Sequence, residues 1–314
     1  PRAEICCDIG KYFLDREQYN QAIFWYELAL TRKINETSGG FILLDCYNFT
    51  PYIQLCLCYF RIGDIKKSKD EFMKYTNNYD IENENIERKI YHSLRVMEIS
   101  KKIATNMGLE NEKIELATLI GLLHDIGRFE QFKIYQTYSD LESIDHGDLG
   151  ADILKQNNFI RNFIKEAKYD EIILKSVQNH NKYKIADDLN KEEKLFCKIV
   201  RDADKIDILY EAIEIFWKKG REEIQNDLIS DKVYNEFLNK KLIKKDKNMK
   251  KNGIDKLVLM LAFVFDINFH ESLEILKKED YLNKILNNFD FKRQDTKEKI
   301  ENIRNVLNLY LNKG

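Results

Sequence analysis

Apolar residues along this chain recur at spacings of three and four, which is the spacing of one face of an α-helix. One apolar stripe runs over residues 90–103, a second over 116–123 and a third over 195–209. Two prolines and twelve glycines among 314 residues leave few positions that would break a helix. The pattern therefore predicts an all-α protein whose long amphipathic helices begin near Ile86.

The first 80 residues differ from the rest because they carry a weak internal repeat in a helix-turn-helix register. Small residues recur at Ala22 and Ser68, which lie 46 positions apart (68 − 22). This segment resembles two tetratricopeptide units of about 34 residues each, with an insertion around 37–48. The resemblance implies a helical surface for a protein partner. The polar, acidic stretch over 77–85 predicts the linker to the following helices.

Composition limits the classes of partner and compartment. The formal net charge is −2, so no basic excess indicates nucleic acid as a partner. No apolar run is long enough to span a bilayer and no signal-peptide pattern is present, which predicts a cytoplasmic protein without a membrane partner. The six cysteines include no C-x-x-C spacing, so we expect buried thiols in a reducing compartment.

The most informative feature is a histidine next to an aspartate at the end of an apolar helix. His124 and Asp125 follow a buried stretch and precede Gly127 and Arg128. Burying an ionised aspartate beside an imidazole is costly unless a cation compensates for it, and a divalent metal ion does so. Consecutive helical residues differ by about 100° in direction. The two side chains can therefore hold one ion from two sides, or Asp125 can bridge two ions.

Other residues of metal-ligand type lie upstream and downstream of this pair. Four of the five histidines belong to the set, and the fifth, His270, is expected to be a structural or surface residue. The full set of candidates comprises His92, His124, Asp125, His146, His180 and the aspartates Asp202, Asp204 and Asp207. Their joint pattern predicts a buried di-metal hydrolase site.

His92, the His124-Asp125 pair and the run from Ala203 to Asp207 together resemble the HD-domain superfamily over about residues 86–212. The resemblance implies an HD-domain helical core and a last ligand at Asp204. Helical spacing alone leaves Asp202 equally open, because both residues flank the apolar face.

The two further histidines resemble those of the binuclear branch of the superfamily. In that reading the first ion is held by His92, His124, Asp125 and Asp204. The second ion is held by Asp125, His146 and His180, so that Asp125 bridges. Mixed imidazole and carboxylate ligands suit Mn²⁺, Fe²⁺ or Co²⁺ and tolerate Mg²⁺. The resemblance thus implies two divalent metal ions as cofactors.

The activity that the resemblance implies is a metal-dependent phosphohydrolase or phosphodiesterase that acts on a phosphorylated small molecule, with a nucleotide as the expected substrate. Asp125, Arg128 and Asp145 are the candidate catalytic residues. Asp145 is expected either to protonate the leaving group or to orient His146. The candidate substrate-binding cations are Arg128, Arg95, Lys182 and Lys205.

Three segments are expected: tetratricopeptide-like helical repeats over 1–80, the HD core over 81–220, and a C-terminal helical extension over 221–314 that packs on the core. Residues 129–148 are richer in polar and aromatic side chains and predict an irregular loop that sets specificity. Two alternatives stay open. A di-iron oxygenase can use the same ligand set, and the chain can be a non-catalytic sensor or scaffold.

Overall fold

The structure, a computed structural model, describes residues 2–16, 18–33, 82–156, 160, 167–214, 221–244 and 252–312, with scattered positions between 43 and 80. Every regular element within these ranges is helical, which confirms the prediction of an all-α protein. The α-helices are α1 Ala3–Leu14, α2 Tyr19–Leu30, α3 Asp45–Asn48, α4 Glu84–Asn106, α5 Asn111–Leu123, α6 Ile126–Tyr135, α7 His146–Lys155, α8 Asp170–Asn179, α9 Lys191–Glu214, α10 Arg221–Asn226, α11 Asp231–Leu238, α12 Gly253–Leu261, α13 His270–Glu279, α14 Tyr281–Asn287 and α15 Gln294–Leu311. Two 3₁₀ helices occupy Ala167–Tyr169 and Ala262–Asp266.

The first predicted helix pair is present as α1 and α2. The two helices approach closely at Gly10, where a Cβ atom would lie only 2.9 Å from the Tyr26 ring. Ala22 and Ala29 are fully buried in the same apolar cluster, as expected for small residues between packed helices. The second copy of the repeat, including Ser68, lies outside the described residues, so the tetratricopeptide-like repeat stays a prediction.

The helices around the candidate site share one apolar core. The stripes read from the sequence face inward: Ile103 of α4, Ile120 of α5 and Ile206 of α9 are each fully buried. Asn83 caps α4, because its side-chain oxygen accepts a hydrogen bond from the backbone N–H of Asn85. Burial of these stripes fixes which faces of α4, α5 and α9 are left to form the site.

The expected irregular loop over 129–148 is helical at both ends, so the expectation was wrong for 129–135 and 146–148 and correct for 136–145. Helix α6 continues through Tyr135, and α7 begins at His146, so only 136–145 connects them. Phe129 and Phe132 belong to the same buried cluster as Ile90 and Leu122, and that packing holds the segment against α4 and α5. Helix α6 ends at Gln136, whose backbone adopts a left-handed conformation with φ 54°.

The C-terminal helices share their apolar core with the helices of the site, since one buried cluster includes residues from Val96 to Leu311. Polar contacts join the two parts as well. The carboxylate of Asp202 in α9 accepts hydrogen bonds from the backbone N–H groups of Asn268 and Phe269 at 2.9 and 3.1 Å. Among the described helices, none is both long enough and apolar enough to cross a bilayer.

Candidate metal centre

The six predicted ligands come together in the structure, although they arrive on different helices. His92 lies within α4 and Asp204 within α9, while His146 is the first residue of α7 and His180 directly follows α8. The histidines and Asp125 are at most 3% exposed. The site is therefore built where several helix ends meet two long helices, and solvent barely reaches it.

His124 and Asp125 occupy the two-residue break between α5 and α6 rather than a continuous helix. Asp125 has backbone angles of φ −101° and ψ 17°, which change the chain direction at this point. In a continuous helix, Arg128 would lie one turn after His124 on the same face. Because the helix is interrupted, Arg128 is instead the third residue of α6. The break allows the side chain of Asp125 to lie between two groups of histidines.

The two carboxylate oxygens of Asp125 face different imidazoles. Oδ2 lies 3.4 Å from His92 Nε2 and 3.6 Å from His124 Nε2. Oδ1 lies 3.3 Å from His146 Nε2 and 3.4 Å from His180 Nε2. Atoms bound to one ion at about 2.0–2.2 Å are roughly 3 Å or somewhat more apart. Each of the two groups could therefore hold a metal ion, with Asp125 common to both.

Asp204 joins the first group and Asp202 does not. Oδ1 of Asp204 lies 3.1 Å from His92 Nε2 and 3.7 Å from His124 Nε2. Asp202 instead uses its carboxylate to hold the backbone of Asn268 and Phe269. The alternative that the spacing left open is thus resolved geometrically, since only one of the two aspartates faces the histidines.

Each histidine is held by a contact at Nδ1, so that Nε2 is directed into the site. Two of the rings contact backbone carbonyls: His124 Nδ1 lies 2.7 Å from Gly121 O, and His180 Nδ1 lies 2.6 Å from Val177 O. The other two contact carboxylates. His92 Nδ1 lies 2.6 Å from Asp207, and His146 Nδ1 lies 2.7 Å from Asp140. Such contacts fix the tautomer and orientation of metal-binding histidines.

The chemistry of these donors fits a cation. Because a carbonyl can only accept, His124 and His180 must donate their Nδ1 hydrogens, and a neutral ring then presents a lone pair at Nε2. These lone pairs face the carboxylate of Asp125, which is also an acceptor. Lys89 donates to Oδ2 of Asp125, but Oδ1 faces the lone pair of His180 Nε2. Two buried acceptors that face one another are unfavourable, and a metal ion between them would supply the positive charge that this contact needs.

Charge states within the site follow from its neighbours. Burial raises the pKa of Asp125, but Lys89 and the surrounding histidines outweigh it and hold that pKa well below its usual range. Burial also lowers the pKa of His180 to about 4, although the neighbouring Asp125 carboxylate acts in the opposite direction. For His92, burial and Lys89 lower the pKa, but hydrogen bonds to Asp125, Asp204 and Asp207 raise it overall to about 10.

Three supporting residues were not identified from the sequence. Lys89 Nζ lies 2.8 Å from Asp125 Oδ2, Asp140 contacts His146, and Glu211 accepts a hydrogen bond of 2.7 Å from Arg95. Helical spacing could have identified two of them, because Lys89 precedes His92 by one helical turn and Glu211 follows Asp207 by one turn. Asp140 lies in an irregular connection, where periodicity carries no information.

Two of the predicted functional residues have other contacts. Arg95 donates to both carboxylate oxygens of Asp207, at 2.6 and 2.9 Å. It is not among the residues that line the cavity beside the ligands. Asp145 caps α7 by accepting from Gly147 and Asp148, and its side chain also bonds Asn181. The acid that orients His146 is therefore Asp140.

A cavity of about 340 Å³ opens beside the two groups of ligands. Four of the ligands, Asp125, His146, His180 and Asp204, line it. The predicted cations Arg128, Lys182 and Lys205 line it as well, and so does Lys89. Its volume is that of a site for a small molecule.

Comparison with known proteins agrees with this geometry. Residues 90–209 match the family model described as the HD domain, and this range contains all six ligand candidates. No curated protein and no solved structure matches the chain. Residues 90–209 are therefore similar to the HD domain, a family that binds divalent metals, and the same range contains clustered histidine and aspartate side chains that could hold such ions.

Proposed function

We propose that this protein is a metal-dependent phosphohydrolase that acts on a phosphorylated small molecule, with nucleotides as the first substrates to test. One observation carries the proposal: Asp125 presents its two carboxylate oxygens to two separate groups of imidazole nitrogens. Two-metal hydrolases place their ions about 3.5–4 Å apart, and a ligand that reaches both ions suits that separation. The HD domain at residues 90–209 supports the same activity.

In this proposal His92, His124, Asp125 and Asp204 hold one ion, and Asp125, His146 and His180 hold the other. Mn²⁺, Fe²⁺ and Co²⁺ suit these ligands, and Mg²⁺ is tolerated. When bound, such ions supply a water of lowered pKa and neutralise charge on phosphoryl oxygens. The two groups of ligands keep that chemistry in a buried site, where charges interact more strongly than in bulk water.

Arg128 is the residue best placed to bind the phosphoryl group. Its Nη1 atom donates to Asp140 at 2.8 Å and to the carbonyl of Tyr138 at 2.6 Å, which fixes the guanidinium. Its Nε atom is buried without a hydrogen-bond partner among the described residues and lies 3.7 Å from Asp125 Oδ1. A guanidinium fixed on one side with a donor left over is suited to a phosphoryl oxygen.

The test is a screen of nucleotides and simple phosphate esters with Mn²⁺, Mg²⁺, Co²⁺ or Fe²⁺, in which phosphate release is measured. We expect turnover by the unmodified protein and its loss in His124→Ala and Asp125→Ala. The variant His270→Ala is the matched control, because this exposed histidine lies outside the site. Circular dichroism should show unchanged helix content in all three variants.

Two outcomes would contradict the proposal. One is full turnover by Asp125→Ala, which would place the activity elsewhere. The other is oxygen uptake by the iron-loaded protein without phosphate release, which would assign the same ligands to an oxygenase.

A further inference from the structure

Part of the cavity wall comes from residues outside the HD domain match. Leu242, Ile243, Lys244 and Phe263 all follow residue 209, and all line the cavity. The hydroxyl of Tyr183 donates a hydrogen bond of 3.1 Å to the carbonyl of Leu242. This bond ties the segment 242–244 to the loop that follows His180, so the C-terminal part of the chain helps to shape the cavity.

This part of the wall is apolar. Ile208 lies one helical turn beyond Asp204 on α9, about 6 Å along the helix axis, and also lines the cavity. Ile243 is buried, while Leu242 and Phe263 are half-buried. Together with Tyr183, these residues give three aliphatic and two aromatic side chains around a cavity whose ligand end is polar.

Free positive charge on the wall is scarce. Six cations line the cavity: Lys89, Arg128, Lys182, Arg201, Lys205 and Lys244. The first five each form an ion pair with an aspartate at 2.6–2.9 Å. Within the described residues, Lys244 is the cavity-lining cation without an ion pair, and it is exposed. A substrate with many charges would therefore find few unpaired cations beyond the ligand groups.

The connection over 136–145 has a smaller part in the wall than the sequence suggested. Asp140 is its contribution to the cavity, and that carboxylate already bonds His146, Arg128 and Gln131. The segment expected to set specificity thus mainly supports the ligands. The residues that can select a substrate are instead the apolar ones of the C-terminal part, Leu242, Ile243 and Phe263, which line the cavity directly.

We infer that Tyr183, Leu242, Ile243 and Phe263 form a subsite for an apolar organic group, preferably an aromatic ring, carried by the phosphate substrate. The inference rests on the proposed function, since the phosphoryl group is taken to lie at the two groups of ligands. An aromatic ring packs favourably against the faces and edges of other rings. Burying it against these aliphatic side chains also removes apolar surface from water.

The test compares the binding of phenylphosphonate and methylphosphonate to the full chain loaded with Mn²⁺, measured by isothermal titration calorimetry. The two probes share the phosphonate and differ in the ring. We expect the phenyl compound to bind about tenfold more tightly, as filling an apolar pocket does. Leu242→Ser and Tyr183→Ala should each reduce that ratio to about threefold or less. Both residues are at least partly exposed, so the variants are expected to fold.

The matched control is Lys244→Ser, which changes charge on the same segment without altering the apolar wall. It should weaken both phosphonates equally and leave their ratio unchanged. Equal affinity of the two probes for the unmodified protein, no binding of the phenyl compound, or an unchanged ratio in both variants would each overturn the inference. Failure of the proposed function looks different: phenylphosphonate would still bind preferentially, but no phosphate ester would be hydrolysed.

Discussion

The Nε2 atom of His180 lies 3.4 Å from the Oδ1 atom of Asp125, and both atoms are hydrogen-bond acceptors. The neutral His180 ring carries its hydrogen on Nδ1, because that atom lies 2.6 Å from the carbonyl of Val177, which can only accept. Its Nε2 atom therefore has a lone pair and no hydrogen. Burial lowers the pKa of the ring to about 4, so it is neutral at physiological pH. An ion between the two atoms would turn an unfavourable contact into two coordination bonds.

Removal of divalent ions should therefore destabilise the protein. With free Mn²⁺ at about a thousand times its Kd, we expect a gain of about 4 kcal/mol in the free energy of unfolding relative to protein in chelator. Thermal and urea denaturation with and without Mn²⁺ measure this gain. It should persist in His270→Ala and disappear in Asp125→Ala. A gain of the same size in both variants would show that the ion binds elsewhere.

Asp202 and Asp204 are expected to separate stability from metal binding. Asp202→Ala leaves the N–H groups of Asn268 and Phe269 without their acceptor and should lower the free energy of unfolding by about 2 kcal/mol. Asp204→Ala removes a group 3.1 Å from His92 Nε2. Even an outer-shell partner contributes about 10- to 100-fold in metal affinity, so this loss should reach at least about 100-fold.

Urea denaturation and metal titration of the same two variants check this separation. Each variant is the control for the other, since the residues lie two positions apart on α9. If Asp202→Ala were the variant that lost the metal, the assignment of Asp204 to the first group would be wrong.

The sequence singled out residues that lie close together in the structure, because their types are rare and their positions are tied to strong helical stripes. Their role as metal ligands stays a prediction. Four of five histidines converge, and the His124-Asp125 pair falls at a helix end. Asp202 and Asp204 could not be separated in this way, because both flank the same apolar face of α9. What distinguishes them is their distant partners: Asp202 accepts hydrogen bonds from Asn268 and Phe269, whereas Asp204 faces His92.

The supporting residues were harder to predict because their partners are distant and lie in irregular segments. Asp140 reaches His146 across a connection without periodicity, whereas the neighbouring Asp145 was the more obvious candidate. The helical state of 129–135 was also missed. Its two buried phenylalanines, Phe129 and Phe132, are surrounded by polar residues in the sequence. The segment is held in place by their packing in one cluster with Ile90 and Leu122, which are distant in sequence.

Asp140 and Asp145 should differ in their effect on metal binding. Asp140→Asn replaces the carboxylate that orients His146 and should weaken the second ion by about 10- to 100-fold. Asp145→Ala removes the cap of α7 and should cost about 1 kcal/mol of stability instead. Metal titration together with urea denaturation distinguishes the two variants. A large loss of affinity in Asp145→Ala with none in Asp140→Asn would reverse the assignment.

Arg95 is expected to act through His92 rather than on the substrate. Its guanidinium holds Asp207 through two hydrogen bonds, and Asp207 in turn contacts His92 Nδ1. Arg95→Lys keeps the charge but loses the paired geometry. We expect the first ion to bind about tenfold more weakly and kcat to fall at limiting metal, with KM unchanged.

Steady-state kinetics at several metal concentrations measure this effect. Arg88→Lys is the matched control, because Arg88 donates a hydrogen bond of 3.1 Å to Glu211, the other carboxylate that Arg95 contacts. It should leave both metal affinity and kcat close to those of the unmodified protein. A rise in KM in Arg95→Lys with kcat unchanged would indicate instead that Arg95 binds substrate directly.

Helices α6 and α7 approach so closely at Gly127 that any side chain there should disturb His146. A Cβ atom on Gly127 would lie 2.7 Å from the backbone nitrogen of Gly150 and would also collide with the carbonyl of His146. Since both groups are backbone atoms, the helices must separate. Gly127→Ala should therefore cost about 1–3 kcal/mol of stability and weaken the second ion.

Gly108→Ala provides the matched control for this last change. Gly108 has φ +69° and nothing within 4 Å of the added Cβ, so alanine there should cost about 1 kcal/mol through backbone strain alone. Both variants should unfold more easily in urea, but only Gly127→Ala should lose metal affinity, by about tenfold. Equal metal affinity in the two variants would mean that the spacing of α6 and α7 does not position His146.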